Sequence, residues 1–115
     1  MDFPCEVVAI ADADTIRCRS GLRVRVAGIE ANERNGTCHI ERCPAMPYAQ
    51  AKRVVWAMTV GKTLRCTPVG KSYQRTVARC TLNGRDLRCQ INATGAAVDW
   101  PRYVKQYRLE KCNEY

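Results

Sequence analysis

The chain has 115 residues, 46% hydrophobic and 26% charged, which is a globular composition sized for one domain spanning 1–115. Its 19 Lys and Arg outnumber 11 Asp and Glu, for a net charge of +8. No apolar run is long enough to cross a bilayer, so no membrane partner is expected.

The charge is uneven. Residues 1–50 carry six basic and seven acidic side chains, whereas residues 51–115 carry thirteen and four. A polyanion would be drawn to the second part, while the acids able to hold a cation lie mostly in the first. Eight cysteines (Cys5, Cys18, Cys38, Cys43, Cys66, Cys80, Cys89 and Cys112) are scattered without a CxxC pair. That pattern suits disulfides in an oxidising compartment better than a zinc site, with about 105 possible connectivities. Met1–Pro4 has no apolar signal core, so a mature secreted or periplasmic form with its export signal removed is expected.

In chain order, Cys5–Ile10, Ile16–Arg19 and Leu22–Ile29 are rich in β-formers and separated by turn residues, which predicts a three-stranded meander. Ala31–Pro47, rich in Asn, Gly, Cys and Pro, predicts a long loop in which Cys38 and Cys43 can cross-link. Tyr48–Val60 carries Tyr48, Ala51, Val54, Val55 and Met58 at helical spacing and stops before Gly61. Trp56 is expected to pack at the core edge. Thr63–Thr67 reads as a fourth strand, Pro68–Gln74 as a polar connection and Arg75–Leu82 as a fifth strand. Asn83-Gly84 is a hairpin signal, and Asp86 can cap a helix over Leu87–Thr94 that ends at Gly95. Pro101–Cys112 predicts a last helix with proline in its first position. The sum is an α+β, mainly β fold: a five-stranded barrel of the oligonucleotide/oligosaccharide-binding (OB) type, with about three packed helices and disulfide staples.

The stretch Leu22–Glu33 concentrates the chemistry. Leu22, Val24 and Val26 alternate with Arg23 and Arg25, so the arginines stand on the outer side of the strand. Glu30 and Glu33 follow just beyond its end, and Asp12-Ala13-Asp14-Thr15 supplies a second acidic pair in a turn. Acids beside a fixed arginine suit a metal ion and a phosphate.

Three motifs carry a resemblance. Asp12-Ala13-Asp14-Thr15 is similar to an Asp-Gly-Asp-Thr signature, and Arg25-Val26-Ala27-Gly28-Ile29-Glu30-Ala31-Asn32-Glu33 to Arg-Leu-x-Gly-Ile-Asp-Ala-Pro-Glu. Tyr73-Gln74-Arg75 is similar to Tyr-Gly-Arg. In this order, over about Cys5 to Tyr103, the sequence resembles the staphylococcal nuclease (thermonuclease) family, and its cysteine-rich loop resembles exported bacterial members. The resemblance implies calcium-dependent cleavage of DNA or RNA, with another divalent ion as an option, by a monomer acting on nucleic acid. It also implies roles: Asp14 and Glu30 as metal ligands with Asp12 in support, Glu33 as general base, and Arg25 and Arg75 on the scissile phosphate. Tyr73, Trp100 and Tyr103 would contact substrate.

The chain departs from the family pattern at three positions. Glu30 is one methylene longer than the family's Asp. Ala13 replaces a glycine, which a left-handed turn would strain, and Asn32 replaces a proline. Three rival readings stand beside this one, among them a cysteine-stapled extracellular module that binds a protein partner. A non-catalytic nucleic-acid-binding barrel would keep the basic half and not the chemistry. His39, between Cys38 and Cys43, has the residue types of a zinc site but lacks an apparent fourth ligand.

Overall fold

A computed structural model describes residues 1–112. The last three residues of the span read as one domain lie outside the described residues. The first three strands, β1 (Phe3–Asp12), β2 (Thr15–Cys18) and β3 (Arg23–Val26), form the antiparallel meander. A two-residue strand β4 (Ile29–Glu30) and the loop over 31–47 lead to helix α1 (Tyr48–Thr59). Then come β5 (Thr63–Ser72), β6 (Arg75–Leu82), β7 (Arg85–Asp86), α2 (Leu87–Thr94), β8 (Val98–Asp99) and α3 (Pro101–Gln106). The ladder runs β3-β2-β1-β5-β6, and β3 also pairs with β6 in parallel, which closes five strands into a mixed barrel. The OB-like architecture read from the element order is the one found.

Alternation fills the barrel. Val7, Ile16, Val24, Val26, Leu64 and Ala78 are all buried in one core cluster. Helix α1 joins it through Ala51 and Val55, and α2 through Leu87 and Ile91. Asp86 caps α2 by accepting from the Cys89 N–H at 3.4 Å, and burial pushes its carboxyl above the ordinary value while Arg88 pulls it down. The Asn83-Gly84 turn has φ of 56° and 77°, both left-handed, as a tight hairpin of this residue pair requires.

All eight cysteines are paired: Cys5–Cys18 across β1 and β2, Cys38–Cys43 within the loop, Cys66–Cys80 across β5 and β6, and Cys89–Cys112. A bridge closing a loop of about 15 residues contributes roughly 3 kcal/mol through the unfolded chain.

Four expectations are corrected. Pro68–Gln74 is not a connection, because β5 continues to Ser72. Pro68 and Gly70 mark an irregularity in the β5–β6 ladder, where turn-type residues are tolerated inside a strand. Leu22–Ile29 is not one strand. It breaks at Ala27-Gly28, where Gly28 has φ 80° and any Cβ would collide with the Leu109 side chain. Helix α3 ends at Gln106 rather than Cys112. Arg108 takes φ 52°, and buried Arg88 donates to the Glu110 carbonyl, drawing the C-terminal segment back onto the barrel. Trp56 does not pack at the core edge, being 46% exposed.

Candidate functional site

The kink at Gly28 takes Ile29–Glu30 out of the barrel ladder and pairs it with β8. Glu30 thereby turns into a cleft of about 510 Å³ at the end of the barrel. The cleft is lined by all the expected residues: Asp12, Asp14, Arg25, Glu30, Glu33, Tyr73, Arg75, Trp100 and Tyr103. Elements separated by up to 95 positions in the chain meet there, from Asp12 to Tyr107.

Its floor is a chain of hydrogen bonds and ion pairs. Arg75 Nη1 donates to Thr15 Oγ1 at 3.4 Å, and Thr15 Oγ1 donates to Asp14 Oδ1 at 2.9 Å. Arg25 Nη1 lies 3.3 Å from Asp14 Oδ2, and its Nη2 lies 3.2 Å from Glu30 Oε1. Glu30 Oε2 then accepts from the His39 backbone N–H at 2.6 Å and faces His39 Nδ1 at 2.7 Å. One guanidinium thus spans two carboxylates. Both are buried, and Glu30 is only 2% exposed. Arg25 is itself nearly buried, so this is an enclosed pair rather than a solvated surface one.

Glu33 differs. Its carboxylate is exposed, 3.9 Å from His39 Nε2, at the edge of a turn closed by its own N–H donating to the Thr37 carbonyl at 2.7 Å. The Asn32 side chain, in place of a proline ring, donates to the Pro44 and Met46 carbonyls at 2.7 and 2.9 Å. Those two bonds pin the loop that carries Glu33. Ala13 is buried in the core and is not among the left-handed residues, so the strain expected for alanine does not arise.

The other wall is basic and aromatic. Arg75 is held by Ser72, with Nη2 donating to Oγ at 3.0 Å. Tyr73, at the β5–β6 tip, is 95% exposed, with φ 59°. The Trp100 ring stacks parallel to His39 at 6.1 Å and meets Tyr103 edge-on at 4.9 Å, and Tyr103 stacks on Tyr107 at 5.8 Å.

The chain matches no known family model and no curated protein.

Among the described residues, no three His, Cys, Asp or Glu side chains form a ready metal cage. Asp12 lies at the rim, where a second hollow lined by Ala11, Arg34 and Tyr48 begins. The donor chemistry still suits a hard divalent cation. Four carboxylates (Asp12, Asp14, Glu30 and Glu33) line the cleft with three cations, Arg25, Lys71 and Arg75. Each carboxylate oxygen has two lone-pair sites, so Asp14 and Glu30 can keep Arg25 and still ligate an ion. His39 is not a zinc ligand with cysteine partners, because Cys38 and Cys43 are joined to each other.

Three lining residues were missed from the sequence. His39 had a usable signal, as a lone histidine inside a short cysteine-closed loop a few residues beyond the acids. Tyr107 had one in its i, i+4 spacing from Tyr103. Lys71 fell in the stretch read as a connection.

Proposed function

We propose that the protein is a divalent-cation-dependent nuclease that hydrolyses phosphodiester bonds of DNA or RNA by attack of water, with Ca²⁺ as the expected ion. The observation that carries this reading is the continuous chain of hydrogen bonds and ion pairs from Arg75 through Thr15, Asp14 and Arg25 to Glu30. It puts two guanidiniums and two buried carboxylates around one cleft. An ion held by Asp14 and Glu30, with Asp12 acting through water, would stabilise the charge that builds on the phosphate.

The remaining work falls to this chain's own groups. Arg75 and Arg25 present guanidinium N–H groups, which grip phosphate oxygens in pairs as Lys cannot. Arg25 is oriented by its two carboxylates, so its geometry is set before substrate arrives. Glu33 is the open carboxylate. It can accept the proton of an attacking water, a role worth about 10²–10⁴-fold. Tyr73, Trp100 and Tyr103 offer ring faces and a phenol to sugar and base. The acid-to-base balance fits an anionic polymer, and the four disulfides support a site of action in an oxidising compartment such as the periplasm or the cell exterior.

The test is cleavage of a single-stranded DNA and a matching RNA with Ca²⁺ and with chelator, for the wild type and for Glu33→Gln. Cation-dependent products from the wild type, nearly lost in the variant while binding persists, support the reading. Salt-sensitive binding with no product at any cation concentration would replace it with the non-catalytic binding barrel.

A further inference from the structure

Helix α1 carries two stripes at four-residue spacing. Ala51, Val55 and Thr59 are buried, while Tyr48, Lys52 and Trp56 follow one another along a solvent-facing side, with Arg53 beside them. An exposed tryptophan alone needs no explanation. Here it belongs to a patch. Trp56, Tyr48, Lys52 and Arg53 share one shallow hollow, and the Lys52 ammonium lies 5.9 Å from the Tyr48 ring centroid. The Arg34 guanidinium covers the same ring at 5.5 Å. Helix α1 contains no acidic residue.

The patch is also continuous with the cleft. Tyr48 and Arg34 line the second hollow together with Asp12 and Glu33, both of which line the cleft. From Glu33 the surface runs through Arg34 and Tyr48, then along α1 to Trp56, about 12 Å further at the helical rise. Cations interleaved with ring faces are what a single-stranded polynucleotide binds: phosphates on the cations, bases on the rings.

Building on the nuclease reading, we propose that the outer face of α1 is a second polynucleotide-binding track. It holds the part of a single strand that extends past the cleft, with Trp56 as a stacking platform and Arg34, Lys52 and Arg53 on phosphates. The enzyme would then favour long single strands over fragments that fill only the cleft.

Fluorescence anisotropy in chelator, with labelled oligothymidylates of about 4 and about 16 nucleotides, tests this. Expected is tighter binding of the long strand by the wild type, and about tenfold weaker binding of it by Trp56→Ala, with the short one unchanged. Arg53→Ala should flatten the long strand's salt dependence by about 0.7 in log–log slope. Both side chains are exposed, so neither change should unfold the protein. Equal losses at both lengths, no loss, or no advantage of length in the wild type would overturn the track. So would concentration-dependent self-association that depends on Trp56 and leaves strand affinity untouched, since the face would then belong to a second copy. Length-selective binding without any cation-dependent cleavage would retain the track and sink the nuclease.

Discussion

The two walls of the cleft are built on opposite terms. On one side Asp14 in the buried β1–β2 turn, Arg25 on β3 and Glu30 on the kinked extension are nearly enclosed, with every carboxylate oxygen already paired within the protein. On the other, the β5–β6 tip presents Tyr73 and Gln74 to solvent, held by a two-residue turn and by Arg75's contacts to Ser72 and Thr15. The acidic wall derives its geometry from burial and is expensive to disturb. The basic wall derives its geometry from a turn and is cheap to disturb. Substitutions on the first should therefore register as lost stability, and those on the second as lost rate.

The largest effect should come from Arg25→Ala. It leaves Glu30 buried beside no guanidinium, and removing one partner of an enclosed pair costs about 3–5 kcal/mol. Urea unfolding measures it, and a loss under about 1 kcal/mol would mean the acidic wall is as soft as the basic one. Next is Arg75→Ala, expected to slow cleavage about 10²–10³-fold while leaving the urea midpoint almost unmoved. An unfolding penalty matching that of Arg25→Ala would erase the contrast. Tyr73→Gly should stabilise the fold by about 1 kcal/mol, because a left-handed backbone is unfavourable for tyrosine and open to glycine. It should also weaken substrate binding, so a gain in stability without that loss would remove Tyr73 from the substrate wall. Smallest is His39→Ala. It releases one hydrogen bond on Glu30 Oε2, and Ca²⁺ binding by calorimetry should tighten about threefold. Weaker binding would instead make the imidazole a support for the ion.

The same contrast explains what could be read without coordinates. The acidic wall was legible because alternation on β3 fixes which way Arg25 points, and the acids follow at the strand's end. The break at Gly28 was not legible. Nothing local distinguishes Val26-Ala27-Gly28-Ile29 from a continuous strand, and the close approach of Leu109 that requires a glycine comes from the far end of the chain. On the basic wall the strand beginning at Arg75 and the turn at Tyr73-Gln74 are legible, but the end of β5 over 68–72 reads as a loop, because Pro68 and Gly70 look like turn residues and only the pairing with β6 shows that they sit in a strand. His39 was missed as part of the network. Its partner Glu30 is brought to it by the fold of the 31–47 loop, which has no periodicity to read. Trp56 was assigned to the core edge because helical spacing shows that a residue leaves the buried stripe, but not whether something else covers it.

The cysteine pairing has a consequence for how the molecule is made. Taken from the N-terminus, each thiol is joined to the next one in line: Cys5 to Cys18, Cys38 to Cys43, Cys66 to Cys80, Cys89 to Cys112. A polypeptide threaded through a membrane head first would meet each correct partner as the next to emerge, before any wrong one is available. Oxidation of a chain entering an oxidising compartment in that direction would then reach the native set in sequence, without shuffling by an isomerase.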